Sequence, residues 1–140
     1  MPPRATTSPV GETLRQVPDV MPYLDRAAVV VVPLRMGGGM RIKVLEALAA
    51  GKAVVASRRA TEGLDITDGE QLMLAETDAE FARTIARLLA DPARRRSLAA
   101  CGREWSRSNL GWDRVASAYD ALYQSLTHGA RPGRHLDAAP

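Results

Sequence analysis

The sequence predicts an α/β fold built on a parallel β-sheet with flanking helices. Two apolar runs, residues 27–32 (AAVVVV) and 53–56 (AVVA), do not alternate with polar residues, which suits strands covered on both faces. Between them lie a glycine turn and a segment of helix length. Strand, helix, strand in that order implies a right-handed crossover, with a ligand crevice at the carboxyl ends of the strands. A chain of 140 residues with 46% hydrophobic residues can bury one core, and with aromatics at 4% that core must be made of Val, Leu, Ile and Ala.

The elements follow in order. The N-terminal residues 1–9, MPPRATTSP, lack the apolar centre of a secretory signal and are expected to be irregular or disordered. After the run 27–32 come Gly37, Gly38 and Gly39, then a helix over residues 41–50. That helix is apolar nearly all round beyond Lys43 and is expected to be largely buried. After the second strand, Asp68 and Gly69 read as a turn ahead of a strand at 72–75. Thr77 followed by Glu80 forms a capping box, and Phe81, Ile85, Leu88 and Leu89 fall on one stripe of the helix it opens. Asp91 and Pro92 supply a cap and a first-turn proline for the next helix, expected through about Ser106. Val115, Ala118, Tyr119, Leu122 and Leu126 mark a last amphipathic helix. From His128 the tail, HGARPGRHLDAAP, is expected to be disordered, so the ordered domain is placed at 10–127 and the tail at 128–140.

The glycine turn is the candidate site. Glycines there let the backbone turn tightly and approach a ligand, while free amides at the helix start around Met40 and Arg41 offer partial positive charge to an anion. Arg35 and Arg41 add full charges on either side. Glycine needed only for loop geometry is the plain alternative. Glu46 has two readings. Either it is an exposed partner of Lys43, a surface pair of little worth, or it accepts hydrogen bonds from the sugar hydroxyls of a nucleotide whose diphosphate lies at the turn. Glu62, in a second strand-end loop, has equal claims as a ligand contact and as a turn residue.

Several classes are set aside. Arg94, Arg95 and Arg96 lack interleaved aromatics and read as a solvated helix face, so no nucleic-acid partner is expected. His128 and His135 have no metal-ligand spacing, so no metal site is expected. Cys101 is the single cysteine; its small neighbours suggest packing, and its solitude fits a reducing cytoplasm. No run approaches the roughly 20 apolar residues of a membrane span. A nicotinamide-binding fold ranks last, because the glycines do not follow G-x-G-x-x-G.

Together, residues 17–27 (VPDVMPYLDRA), 27–57, 60–64 (ATEGL), 68–75 (DGEQLMLA) and 88–105 (LLADPARRRSLAACGREW) resemble the C-terminal half of family 4 retaining glycosyltransferases, over roughly residues 10 to 123. The resemblance implies a partial GT-B C-terminal domain, a Rossmann-like sheet that holds a nucleoside-diphosphate sugar donor with no further cofactor. Such enzymes commonly carry two glutamates separated by seven residues. Glu46 matches the second, at the nucleotide ribose, and Gly38 stands where the first would be. By the same resemblance the candidate catalytic residues, which would stabilise the leaving diphosphate, are Arg41 and, more weakly, Lys43. The candidate donor-binding residues are Gly37, Gly38, Gly39, Met40, Glu46 and Glu62.

The resemblance also implies an N-terminal acceptor domain and upstream strands that this sequence does not contain. The strand near 10–14 or 29–32 is then expected to lack its usual neighbour, and the last helix to leave part of its apolar face exposed. The chain alone is expected to lack turnover, as a fragment. Lipid-linked acceptors of some relatives imply peripheral membrane contact at most. The alternative is a non-catalytic module that binds a nucleotide or a partner protein.

Overall fold

The computed structural model describes residues 6–8, 11–13, 16–37 and 41–128. In order, the elements are β1 (Thr6–Ser8), β2 (Gly11–Thr13), α1 (Met21–Arg26), β3 (Val30–Val32), α2 (Ile42–Ala49), β4 (Val54–Ala56), α3 (Arg58–Thr61), β5 (Met73–Leu74), α4 (Asp78–Ala90), α5 (Pro92–Asn109) and α6 (Trp112–His128). Packing divides the chain into two units, Met1–Ser106 and Arg107–Pro140.

The first unit is the α/β fold predicted from the sequence. β3, β4 and β5 form a parallel sheet in that order, with Val30 opposite Val54, Val32 opposite Ala56, and Val55 opposite Met73. β4 is central and fully buried, and its side chains alternate between two cores, as a strand must. On one face Val54 and Ala56 pack with Val44, Ala47 and Leu48 of α2, with Ala60 of α3 and with Leu72. On the other, Val55 packs with Phe81 and Leu88 of α4 and Leu98 of α5.

β3 bears out one expectation and corrects another. The run 27–32 reads as covered on both faces, yet Val30 and Val32 are half-buried and Val31 is 38% exposed. The reason is position: among the described residues β3 pairs with β4 alone, so it is a sheet edge, as the resemblance implies for the strand near 29–32. Of the residues expected to give a strand near 10–14, the described ones, Gly11–Thr13, do not join the sheet. β2 pairs antiparallel with β1, which lies in the stretch expected to be irregular.

Caps and side-chain ties fix the helices. α2 ends on Gly51 at φ +67, where Gly51 N–H reaches Leu48 O at 2.9 Å and Lys52 N–H reaches Ala47 O at 3.0 Å, the paired bonds of a Schellman end. The Lys52 ammonium donates to Asp25 O at 2.8 Å and so ties α1 to the α2–β4 connection. The capping box of α4 is complete: Thr77 accepts from Glu80 N–H, and Glu80 accepts from the amides of Glu76 at 2.8 Å and Thr77 at 3.0 Å. Those amides, Glu76 foremost, hold the Glu80 carboxyl below its ordinary value. Asp91 caps α5 through Arg94 N–H, as its place before Pro92 implies.

Three expectations about side chains are corrected. Leu89 is exposed while Phe81 and Leu88 are buried, because the stripe is narrower than four residues. Arg94 and Arg95 do not merely face solvent. Arg94 donates to Gly69 O, and Arg95 to Leu88 O and Leu89 O, carbonyls left over at the end of α4. Cys101 is exposed, and its neighbour Gly102 is the residue that packs: it is buried, with Leu48 of α2 and the Gln71 carbonyl pressed against it. Nearby, the Trp105 indole N–H donates to Asp65 O at 2.7 Å.

The second unit holds the end of α5, which runs past the expected Ser106 to Asn109, and α6, whose Tyr119, Leu122 and Tyr123 are exposed. Residues 129–140, the greater part of the expected disordered tail, lie outside the described residues. Among the described residues no helix is long and apolar enough to cross a membrane.

Candidate functional site

The site follows from the crossover. Leaving β3, the chain passes Pro33 and Leu34, reaches Gly37 at φ +108, and enters α2 with Arg41 at the N-cap position. That φ is one a β-carbon disfavours, so the first glycine of the turn is required by geometry. Gly38, Gly39 and Met40 lie outside the described residues. Leaving β4, the chain enters α3 through Ser57, whose hydroxyl donates to Leu34 O at 2.7 Å and accepts from Ala60 N–H at 3.2 Å. One buried serine therefore joins the two strand-end loops.

α2 is less buried than its composition suggests. Val44, Ala47 and Leu48 face the sheet, whereas Ile42, Lys43, Glu46 and Ala49 are exposed. Part of the second face opens onto a cleft of about 840 Å³, within the usual range for small-ligand sites. Val20 and Leu24 wall it on the α1 side and Val30, Val31, Val32 and Pro33 line it along β3. Gly37, Arg41, Lys43 and Glu46 bring its polar and charged groups. The cleft is thus mainly apolar, with two cations and one carboxylate at the end where β3 turns into α2.

The surface pair between Lys43 and Glu46, one of the two readings of Glu46, does not form: among the described residues neither side chain makes an ion pair. Glu46 is an exposed carboxylate lining the cleft. Arg41 is different. Its guanidinium donates to Glu62 Oε2 at 3.0 Å, and the same oxygen lies 3.6 Å from Arg59 Nη1. Arg41 lines the cleft; Glu62 and Arg59 do not. Arg35, expected beside the turn as a second cation, is ion-paired with Asp78 in the first turn of α4 and is not part of the cleft wall. At the N-terminus of α2 itself Arg41 makes no side-chain capping bond, and no acidic residue occupies the first turn.

Sequence reasoning did not find α1 as a wall of the cleft, nor Arg59 and Ser57. Pro22 beside the amino end of α1 was a usable signal, since proline is favoured in a first helical turn. Arg59, three residues before Glu62, was another.

Comparison with known proteins gives the family and the fold. Residues 7–91, which include the glycine turn, α2, β4 and Glu62, match the family described as Glycosyl transferases group 1. The chain is 36% identical over 115 residues to the lipopolysaccharide core biosynthesis mannosyltransferase LpcC of Rhizobium leguminosarum bv. viciae, covering 81% of this chain and 32% of that protein. Among solved structures it is similar to sucrose-phosphate synthase from Thermosynechococcus elongatus, with a TM-score of 0.64 and 30% identity over 77% of this chain and 27% of that one. A likeness of fold extends to the C-terminal domain of a group 1 glycosyltransferase, LpcC from Francisella tularensis, with a TM-score of 0.63 and 20% identity over 71% of this chain and 52% of that domain. The chain spans about a third of the length of the curated relative it matches. The resemblance carried by the sequence segments is therefore borne out at the level of family and fold, and the chain belongs to the group 1 glycosyltransferases.

Proposed function

We propose that this chain holds the sugar donor of a glycosyl transfer, a nucleoside-diphosphate sugar, with its diphosphate at the start of α2 and its ribose at Glu46. The observation that carries the reading is the arrangement of one cleft: Gly37, Arg41, Lys43 and Glu46, the last without an ion pair among the described residues, line it where β3 turns into α2. The opening turn of α2 is cationic and has no acidic residue, an arrangement an anion would complete. A carboxylate one turn further on suits the paired hydroxyls of a ribose.

In the transfer, the bond between the sugar and the diphosphate breaks and negative charge grows on the departing phosphate. Amides at the helix start, Arg41 and Lys43 stabilise that charge without a metal ion. The stereochemistry is retaining, and the acceptor is bound by a second domain, so the 140-residue chain binds the donor without turning it over. The curated relative is named as a mannosyltransferase, which makes a mannosyl donor the first to try. The setting is cytoplasmic.

Titration of UDP, GDP and ADP into the purified chain tests the reading. Binding of one of them in the micromolar to millimolar range is expected, with Glu46→Ala weakening it about tenfold through loss of hydrogen bonds to a charged acceptor. Equal affinities for the variant and the parent would remove the ribose role from Glu46. A second reading, a non-catalytic interaction module, has one observation in its favour, the half-exposed edge of β3. It predicts that none of the three nucleotides binds.

A further inference from the structure

We propose that Glu62 is a positioning residue: it acts on the donor through Arg41, by holding that guanidinium against the cleft wall. The inference rests on the donor-binding reading above and goes beyond it by giving Glu62 a task that involves no contact with the ligand.

Three observations carry it. Glu62 Oε2 accepts from Arg41 Nη2 at 3.0 Å and lies 3.6 Å from Arg59 Nη1, so one carboxylate oxygen is shared by two guanidinium groups. The Arg41 side chain is 11% exposed and lines the cleft, whereas the Glu62 side chain is 60% exposed and does not line it. The carboxylate is therefore the solvent-exposed partner of the pair and lies outside the cleft wall. Glu62 also sits on a fixed platform, closing α3, whose Ala60 is buried and whose N-cap Ser57 is bonded to Leu34 O.

A guanidinium has five N–H donors in one rigid plane. With one of them on Glu62, the guanidinium plane is held in one orientation and its other donors can face an anion, an orientation that a long, freely rotating side chain would have to find on binding. Two arginines against one carboxylate leave the group with a net positive charge, so the pairing orients Arg41 without cancelling the attraction for a diphosphate.

The test is a double-mutant cycle on the full chain, titrated with UDP, GDP and ADP, with folding followed by circular dichroism. Arg41→Ala and Glu62→Ala are each expected to weaken the bound nucleotide about tenfold, and the double variant to be no weaker than Arg41→Ala alone. Glu62→Gln, which still accepts from Arg41 but carries no charge, is expected to recover part of the loss. The same cycle runs on Glu62→Gln if Glu62→Ala does not fold. Losses that add in the double variant would show Glu62 acting independently of Arg41 and overturn the proposal. Unchanged or tighter binding by Glu62→Ala would overturn it too, the latter marking the carboxylate as a competitor of the ligand. Failure of the parent chain to bind any of the three would instead bring down the donor reading, and this inference with it.

Discussion

α2 and α4 cover opposite faces of the same three-stranded sheet, and their amino ends are finished in opposite ways. α4 begins with a complete capping box and two acidic residues, Asp78 and Glu80, in its first turn, so its amides and its dipole are satisfied from within the chain. α2 begins with Arg41, which supplies no capping side chain, and carries Lys43 where an acid would be favoured. A helix chosen only for stability would not start that way. The difference teaches where this fold keeps its unspent polar capacity: at the exit of β3, beside a cleft, and not at the exit of β5.

The largest test of that contrast is mechanical. A β-carbon on Gly102 would lie 2.7 Å from Leu48 Cδ2 and 2.8 Å from the Gln71 carbonyl oxygen, too close for either without movement. Gly102→Ala is therefore expected to cost about 2 kcal/mol of stability by denaturant unfolding, as overpacking does. Because Leu48 belongs to α2, the displacement is also expected to weaken nucleotide binding by the folded fraction. Leu88→Ala in α4 should cost at least as much stability, about 3 kcal/mol, and leave the affinity of the folded fraction unchanged. If both variants lost affinity alike, the site would depend on general stability and the two faces would not be functionally distinct.

The same contrast separates what was legible in the sequence from what was not. The parallel sheet was legible because β4 is apolar at every position, and α4 and α5 were legible because T-x-x-E and Asp-Pro are local signals with local causes. Gly37, Arg41, Lys43 and Glu46 could be nominated together because they fall within one short crossover. What failed to show depended on neighbours distant in sequence. The exposure of Val31 could not be read from the run AAVVVV, which looks the same at an edge as at the centre; only the resemblance implied that this strand lacks a neighbour. Cys101 and Gly102 have nearly identical sequence surroundings, yet the helical turn sends one to solvent and the other against Leu48. The Arg41–Glu62 pair spans 21 residues, and nothing in either local sequence announces it.

A chemical test reverses one charge. Lys43→Glu places an acid in the first turn of α2, as α4 has, and should raise stability by about 0.5 kcal/mol through the helix dipole. The same change sets a negative charge in the cleft wall and should weaken nucleotide binding more than about tenfold. Opposite signs for the two measurements, thermal unfolding and titration, are what a helix end reserved for an anion requires. A stabilised variant with undiminished affinity would show that the end of α2 is simply unoptimised.

The smallest effect belongs to α4 and is read in its pH dependence. The amides of Glu76 and Thr77 favour the ionised Glu80, so its folded-state pKa lies below the ordinary glutamate value that applies when the chain is unfolded. The unfolded state therefore binds the proton more readily, and the stability this group contributes is fully present above the ordinary value. It is lost as the pH falls through the lowered, folded-state one. Glu80→Gln keeps a side-chain acceptor for the capping box and removes the titration. The stability difference between parent and variant should thus favour the parent at neutral pH and shrink in acid below the carboxylate range, while nucleotide affinity at neutral pH stays the same. A difference that stayed constant with pH would mean the capping bond matters at α4 and the charge does not, leaving the dipole argument to rest on α2 alone.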